Sequence, residues 1–195
     1  MPEQLAGDPL AVLARWFAEG PHHTMTFATA DADGTPHART VLATAIDTGV
    51  CFHSSTPTTK TRDLAANPRA SAVFHWPEAG RQVVLDGTAA ELDAETSRAG
   101  YRAQDRQLQL LAWAYHSLLP RLEPPHYAVP PGAVEEAFDA AAADPASREA
   151  PPSWTTIRLV PDRVDFWQAG TESTPSTKTR CVREGERWRH FPVLP

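Results

Sequence analysis

A chain of 195 residues with 42% hydrophobic and 22% charged residues can bury one sizeable core and lies in the globular rather than the disordered range. Its formal charge of -6 argues against a general binder of nucleic acid or of anionic membrane, since both partners need a positive field. No apolar run reaches the length of a membrane span, and the start MPEQLAGDPLAVLARWF lacks the basic lead and apolar core of a secretory signal, so the expectation is one domain in the cytoplasm.

Taken in order, Pro9 to Glu19 places Leu10, Leu13, Trp16 and Phe17 on one helical stripe, with Asp8 as N-cap and Pro9 in the first turn. Met25 to Ala30 and His37 to Ile46 alternate around an Asp33-Gly34 turn and read as a β-hairpin, followed across Asp47 to Gly49 by a strand at Val50 to Ser54. STPTTKTRDLAANP is a loop feeding a helix that Thr58 or Thr59 caps and Asn67-Pro68 ends. Arg69 to Trp76 and Gln82 to Glu91 are strands by pattern, and Ala94 to Leu119 is helical with a break near Gln104 to Gln107. A proline-rich connector leads to a short helix at Val134 to Ala143. After Pro151-Pro152, the segments Trp154 to Val160, Arg163 to Trp167, Thr179 to Arg183 and Arg187 to Phe191 are expected as four strands, the last two around a Glu184-Gly185 turn. Antiparallel strands with helices inserted between them point to a barrel or α+β architecture.

Two cysteines, Cys51 and Cys181, are too few for a disulfide framework and too far apart for a metal knuckle; free thiols and no metal site are expected. Among the cations, Arg39 lies on a strand with small neighbours. Lys60 lies at a helix start amid Ser54, Ser55, Thr56, Thr58 and Thr59, where hydroxyls, backbone N–H groups and an ammonium are the components of an anion cradle.

RTVLAT at Arg39 to Thr44, CFHSSTPTTKTRDLAANPRASAVFHWPEAGRQVVLDGTAAEL at Cys51 to Leu92 and RLVPDRVDFWQ at Arg158 to Gln168 resemble the pyridoxamine 5'-phosphate oxidase family in order and spacing. The resemblance runs from about Phe27 to the C-terminus and is weak from Tyr101 to Pro152. It implies an α+β fold, a six-stranded FMN-binding split β-barrel with surrounding helices. Within it 20–92 would be the barrel core, 93–150 a helical insertion and 151–195 the closing strands of a dimerisation region. It implies FMN as cofactor and a homodimer with active sites at the subunit interface.

Carried over by position, the resemblance gives Arg39 and Lys60 to the FMN phosphate and lays the backbone of Thr40, Val41, Leu42 and Thr44 along the flavin. Gln82 would hydrogen-bond the ring, with His53 and Ser54 beside it, and His53 is the candidate general base. Trp167 and Lys178 match positions that the family supplies from the second subunit. Thr59 and Lys178 both depart from the family's residue types.

On the substrate side the family holds a phosphate with a Lys, a Tyr, an Arg and a Ser, and the ring near an Arg-x-His pair. Here Thr44 stands at the Lys position, Tyr101 is kept, Arg106 is a possible stand-in for the Arg, and Leu108 falls at the Ser. Thr174 and Ser176 replace the Arg and the His. Losing two cations costs on the order of 3 to 6 kcal/mol, roughly a hundredfold to ten-thousandfold in affinity. The expectation is therefore an FMN-dependent oxidase acting on an aromatic or heteroaromatic small molecule near Tyr101, Trp113 and Tyr115, with dioxygen as acceptor. The alternatives are pyridoxamine phosphate oxidase itself with a rearranged phosphate site, a flavin-binding protein without turnover, and a deazaflavin-using relative.

Overall fold

The computed structural model describes residues 7–20, 23–123 and 126–195. The strands are β1 (Thr24–Ala30), β2 (Pro36–Ile46), β3 (Val50–Ser55), β4 (Arg69–Trp76), β5 (Arg81–Glu91), β6 (Trp154–Gln168), β7 (Thr177–Glu184) and β8 (Arg187–Val193). The helices are α1 (Pro9–Glu19), α2 (Thr59–Ala66), α3 (Ala94–Arg102), α4 (Arg106–Leu118) and α5 (Ala133–Ala143). One sheet runs β3-β2-β1-β4-β5-β6-β7-β8, and a further β3–β6 pairing closes its first six strands into a barrel. This is the expected α+β split barrel.

The chain divides into two compact units, 1–52 with 62–90 and 158–195, and 53–61 with 91–157. In the first, inward-facing positions alternate along the strands: Met25 and Phe27 on β1, Phe74 on β4, Val83 and Leu85 on β5, and Val164 and Phe166 on β6 are all buried. Helix α1 begins as its sequence dictates. Asp8 accepts the Leu10 N–H at 3.0 Å and Pro9 opens the first turn. Its buried stripe carries Trp16, which meets Phe166 edge-on at 5.3 Å and Trp76 at 6.4 Å.

Strand β6 is one strand of 15 residues where the sequence suggested two. Pro161 lies within it, and beside it Gly87 of β5 comes close: a Cβ on Gly87 would lie 2.1 Å from the Val160 carbonyl oxygen and 2.6 Å from the Pro161 Cα, so the bare glycine lets the two backbones approach.

The second unit is helical. The expected break after α3 is real, with Asp105 capping α4 by accepting the Leu108 N–H at 2.9 Å. Leu110, Ala112, Ala114 and Leu118 of α4 and Ala141 of α5 are buried.

Candidate functional site

On the first unit's sheet, Val83 and Leu85 point into the core, so Gln82, Val84 and Asp86 face outward. The Asp86–Arg163 ion pair and the hydrogen bond from Ala169 N–H to the Gly80 carbonyl fix the β5–β6 register, which sets Gln82 opposite Trp167. His75 pairs with Gln82 on one side and Lys178 with Trp167 on the other. Three predicted site residues, Gln82, Trp167 and Lys178, therefore form one row across β5, β6 and β7. Beneath Lys178, Asp165 is 4% exposed and accepts a bidentate pair from Arg180 at 2.8 and 2.7 Å, with the Lys178 Nζ at 3.5 Å. Burial pushes the Asp165 carboxyl up, but these cations outweigh it and hold it below the ordinary carboxylate range.

Arg39 sits opposite Phe27 in the β1–β2 ladder. Its Nη1 donates to the Phe27 carbonyl at 3.1 Å and to Thr29 Oγ1 at 2.9 Å. Burial pulls its pKa down from the ordinary guanidinium value, and nearby Asp63 opposes that fall. Along the same strand Thr40, Leu42 and Thr44 are exposed and Val41 half-buried. The β2–β3 register shifts at Ala43 to Ala45, a bulge that brackets Thr44, whose hydroxyl donates to the Cys51 carbonyl at 3.2 Å.

In the second unit, Lys60 Nζ donates to Ser54 Oγ at 2.9 Å and to Thr58 Oγ1 at 3.3 Å, so the expected group of one ammonium and several hydroxyls is assembled. Thr59 is exposed. Thr58 stands immediately before α2, one of the two expected cap positions, and its N–H donates to the Thr61 hydroxyl at 2.8 Å, half of a capping box. His53 lies against Trp154 with ring centroids 4.8 Å apart, its Nδ1 2.9 Å from Thr156 Oγ1. A Cβ on Gly100 would come within 2.4 Å of the imidazole. Burial pushes the His53 pKa down to about 4, so the ring is neutral at pH 7.

The substrate-side residues are engaged with their own chain. Tyr101 is fully buried, and its hydroxyl donates to the Ser147 carbonyl at 2.8 Å. Arg106 donates to that same carbonyl at 2.9 Å and to Ser147 Oγ at 2.5 Å. The turn Pro145–Arg148 thus places Ser147 where the two donors converge. In the first unit, Ser176 Oγ accepts the Gly170 N–H at 3.2 Å and Thr44 is tied to Cys51.

Residues 16–168 match the family described as pyridoxamine 5'-phosphate oxidase. The chain belongs to that family. Among its relatives, a pyridoxine/pyridoxamine 5'-phosphate oxidase of Rubrobacter xylanophilus is 34% identical, the alignment covering 96% of this chain and 87% of the relative. One of Acidothermus cellulolyticus is 37% identical over 94% of this chain and 84% of its own. Among solved structures, PhzG from Burkholderia lata in complex with tetrahydrophenazine-1-carboxylic acid superposes with a TM-score of 0.81 at 22% identity, covering 100% of this chain and 97% of PhzG. A pyridoxamine 5'-phosphate oxidase-related, FMN-binding protein from Nostoc punctiforme gives 0.78 at 17% identity, covering 97% of this chain and all of that one. The pyridoxamine 5'-phosphate oxidase family is one of FMN-dependent oxidoreductases, and FMN is its cofactor.

Among the described residues no group of three or more His, Cys, Asp or Glu could hold a metal ion, and no helix is long and apolar enough to cross a membrane. Both cysteines are buried and free; burial pushes the Cys181 thiol up to about 12 and raises that of Cys51, so neither is a ready nucleophile. Sequence reasoning missed Asp63, Ser147 and Asp165. Asp63 left a trace, an acidic residue beside Leu64 on a helix that must bury one side. Ser147 left none.

Proposed function

We propose that this chain binds FMN and oxidises a phosphate-free aromatic or heteroaromatic small molecule, with dioxygen reoxidising the flavin, in secondary metabolism. The observation that carries this reading is the engagement of Thr44, Tyr101, Arg106 and Ser176 with backbone groups of their own chain. A substrate phosphate would have to displace Ser147 from Tyr101 and Arg106, and the chain has Thr and Ser where the family has further cations. A phosphate-free molecule demands neither. PhzG, whose complex holds tetrahydrophenazine-1-carboxylic acid, is a fold neighbour bound to a phosphate-free heteroaromatic acid.

The residues present fit FMN. Arg39, beside the Thr29 hydroxyl, and Lys60, between the Ser54 and Thr58 hydroxyls, are each a cation of the kind a phosphate requires; Gln82 offers an amide to a polar planar ring, and Trp167 and Lys178 of a second copy would add an aromatic face and an ammonium. Bound FMN supplies hydride acceptance from a substrate carbon and onward electron transfer to dioxygen. The protein's tasks are to hold that carbon in place and keep charge beside the ring. Lys178 provides such a charge, steadied by Asp165. His53, neutral at pH 7, has the protonation state a general base requires. A second copy of the chain is assigned to the outward face that carries Thr40, Leu42, Gln82 and Trp167, where Leu42 is 48% exposed.

A second reading, pyridoxamine 5'-phosphate oxidase with a rearranged phosphate site, draws on the names of relatives 34 to 37% identical. Peroxide release separates the two. A panel of heteroaromatic amines, alcohols and dihydro compounds is expected to contain a substrate, while turnover of pyridoxamine 5'-phosphate at an efficient kcat/KM would favour the second. Purified protein should be yellow, and mass spectrometry of its released chromophore should give FMN.

A further inference from the structure

Asp63 on α2 is a carboxylate only 4% exposed, within a cluster drawn from β1, β2 and α2. Such a group persists in a core only where hydrogen bonds or charges compensate it. Its Oδ2 accepts the Thr29 hydroxyl at 2.6 Å, lies 2.9 Å from His37 Nδ1, and is 4.0 Å from Arg39 Nη2. The last distance is too long for a hydrogen bond, so Arg39 and Asp63 are not joined in a two-pronged fork.

The link between them is Thr29, itself 4% exposed. A hydroxyl has one proton to give. Donated to Asp63, it leaves a lone pair facing outward, and Arg39 Nη1 donates to that oxygen at 2.9 Å while also holding the Phe27 carbonyl. The order Asp63, Thr29, Arg39 fixes the direction of every bond in the chain, and with it the plane of the guanidinium.

We infer that Asp63 is a positioning residue for the FMN phosphate: through the Thr29 hydroxyl it sets the orientation in which Arg39 meets that phosphate. The inference rests on the assignment of Arg39 to the phosphate made above. Asp63 need not be explained by stability, because replacing a buried ionic group with a well-packed apolar one is often neutral.

FMN and riboflavin differ only by the phosphate, and their dissociation constants for the full-length chain stripped of flavin provide the test. Asp63→Ala should raise the FMN constant roughly tenfold, the scale of one charge-assisted hydrogen bond, and leave the riboflavin constant within about twofold. Thr29→Val, which keeps shape and removes the relay hydroxyl, should do the same, and Asp63→Asn, which keeps an acceptor for Thr29, should restore most of the loss. In an Arg39→Ala background the Asp63 substitution should have no further effect on FMN. Equal weakening of both flavins, or an undiminished effect in that background, would overturn the proposal and leave Asp63 a structural residue. If Arg39→Ala itself leaves the ratio of the two constants unchanged, the assignment of Arg39 falls, and this inference with it. Should Asp63→Ala fail to fold, the Thr29→Val and Asp63→Asn pair decides.

Discussion

His53 is the side chain whose surroundings most change its chemistry. Burial between Trp154 and Gly100 holds its pKa near 4, against 6.5 for the ordinary imidazole. Between those values the unfolded chain binds a proton that the folded chain refuses, so stability falls as the pH drops from about 6.5 towards about 4 and is unaffected by this group above that window. The thermal midpoint measured across pH 4 to 7 should show that decline, and His53→Gln should flatten it; an unchanged slope would mean that other groups set it. Arg106 makes the opposite kind of prediction. Because its donors reach Ser147, Arg106→Ala should reduce stability by about 1 to 3 kcal/mol in urea denaturation and leave the KM for pyridoxamine 5'-phosphate, if any turnover is seen, unchanged. A KM raised a hundredfold in a stable variant would place Arg106 at the substrate instead. The sequence preserved Tyr101 and an Arg nearby, and so could not show that both point at a carbonyl: the turn that supplies it lies in the stretch 101–152, where the family pattern is weak.

Among the elements, α3 carries a glycine, Gly100, within a helix where alanine would ordinarily be favoured by about 1 kcal/mol. Here the added methyl would meet His53 at 2.4 Å, so Gly100→Ala should destabilise the chain by about 1 to 3 kcal/mol and perturb the fluorescence of Trp154. A gain in stability would show that the imidazole can move away. The hairpins, the helix cap at Asp8 and the break after α3 were legible because alternation, capping residues and turn dipeptides act locally. Strand β6 was not, since the proline in its middle reads locally as a break, and the close approach of Gly87 beside it comes from a different strand that no local pattern announces. The row of Gln82, Trp167 and Lys178 falls between these cases. Each residue was named from motif position, but that they stand side by side depends on how β5 pairs with β6 and β6 with β7. Asp165 anchors the end of that row: Asp165→Ala would leave Arg180 and Lys178 without their shared carboxylate and should lower the unfolding free energy by about 3 kcal/mol, read from the denaturation midpoint.

For the whole molecule, family membership carries the split barrel and the FMN cofactor, while the substrate side carries the departure. These two halves respond to different measurements. Sedimentation of the flavin-loaded protein should give a dimer, and a charge placed on the outward face by Leu42→Glu should shift it towards monomer and weaken FMN retention together. On the proposed function, the flavin side of the site follows the family while the substrate side does not read a phosphate. Anaerobic mixing of the FMN-loaded protein with pyridoxamine 5'-phosphate, followed in the flavin absorbance band beside pyridoxamine itself, tests it most directly. The phosphorylated amine is expected to bleach the flavin no faster than the unphosphorylated one. Rapid bleaching that depends on the phosphate by a hundredfold or more would contradict it.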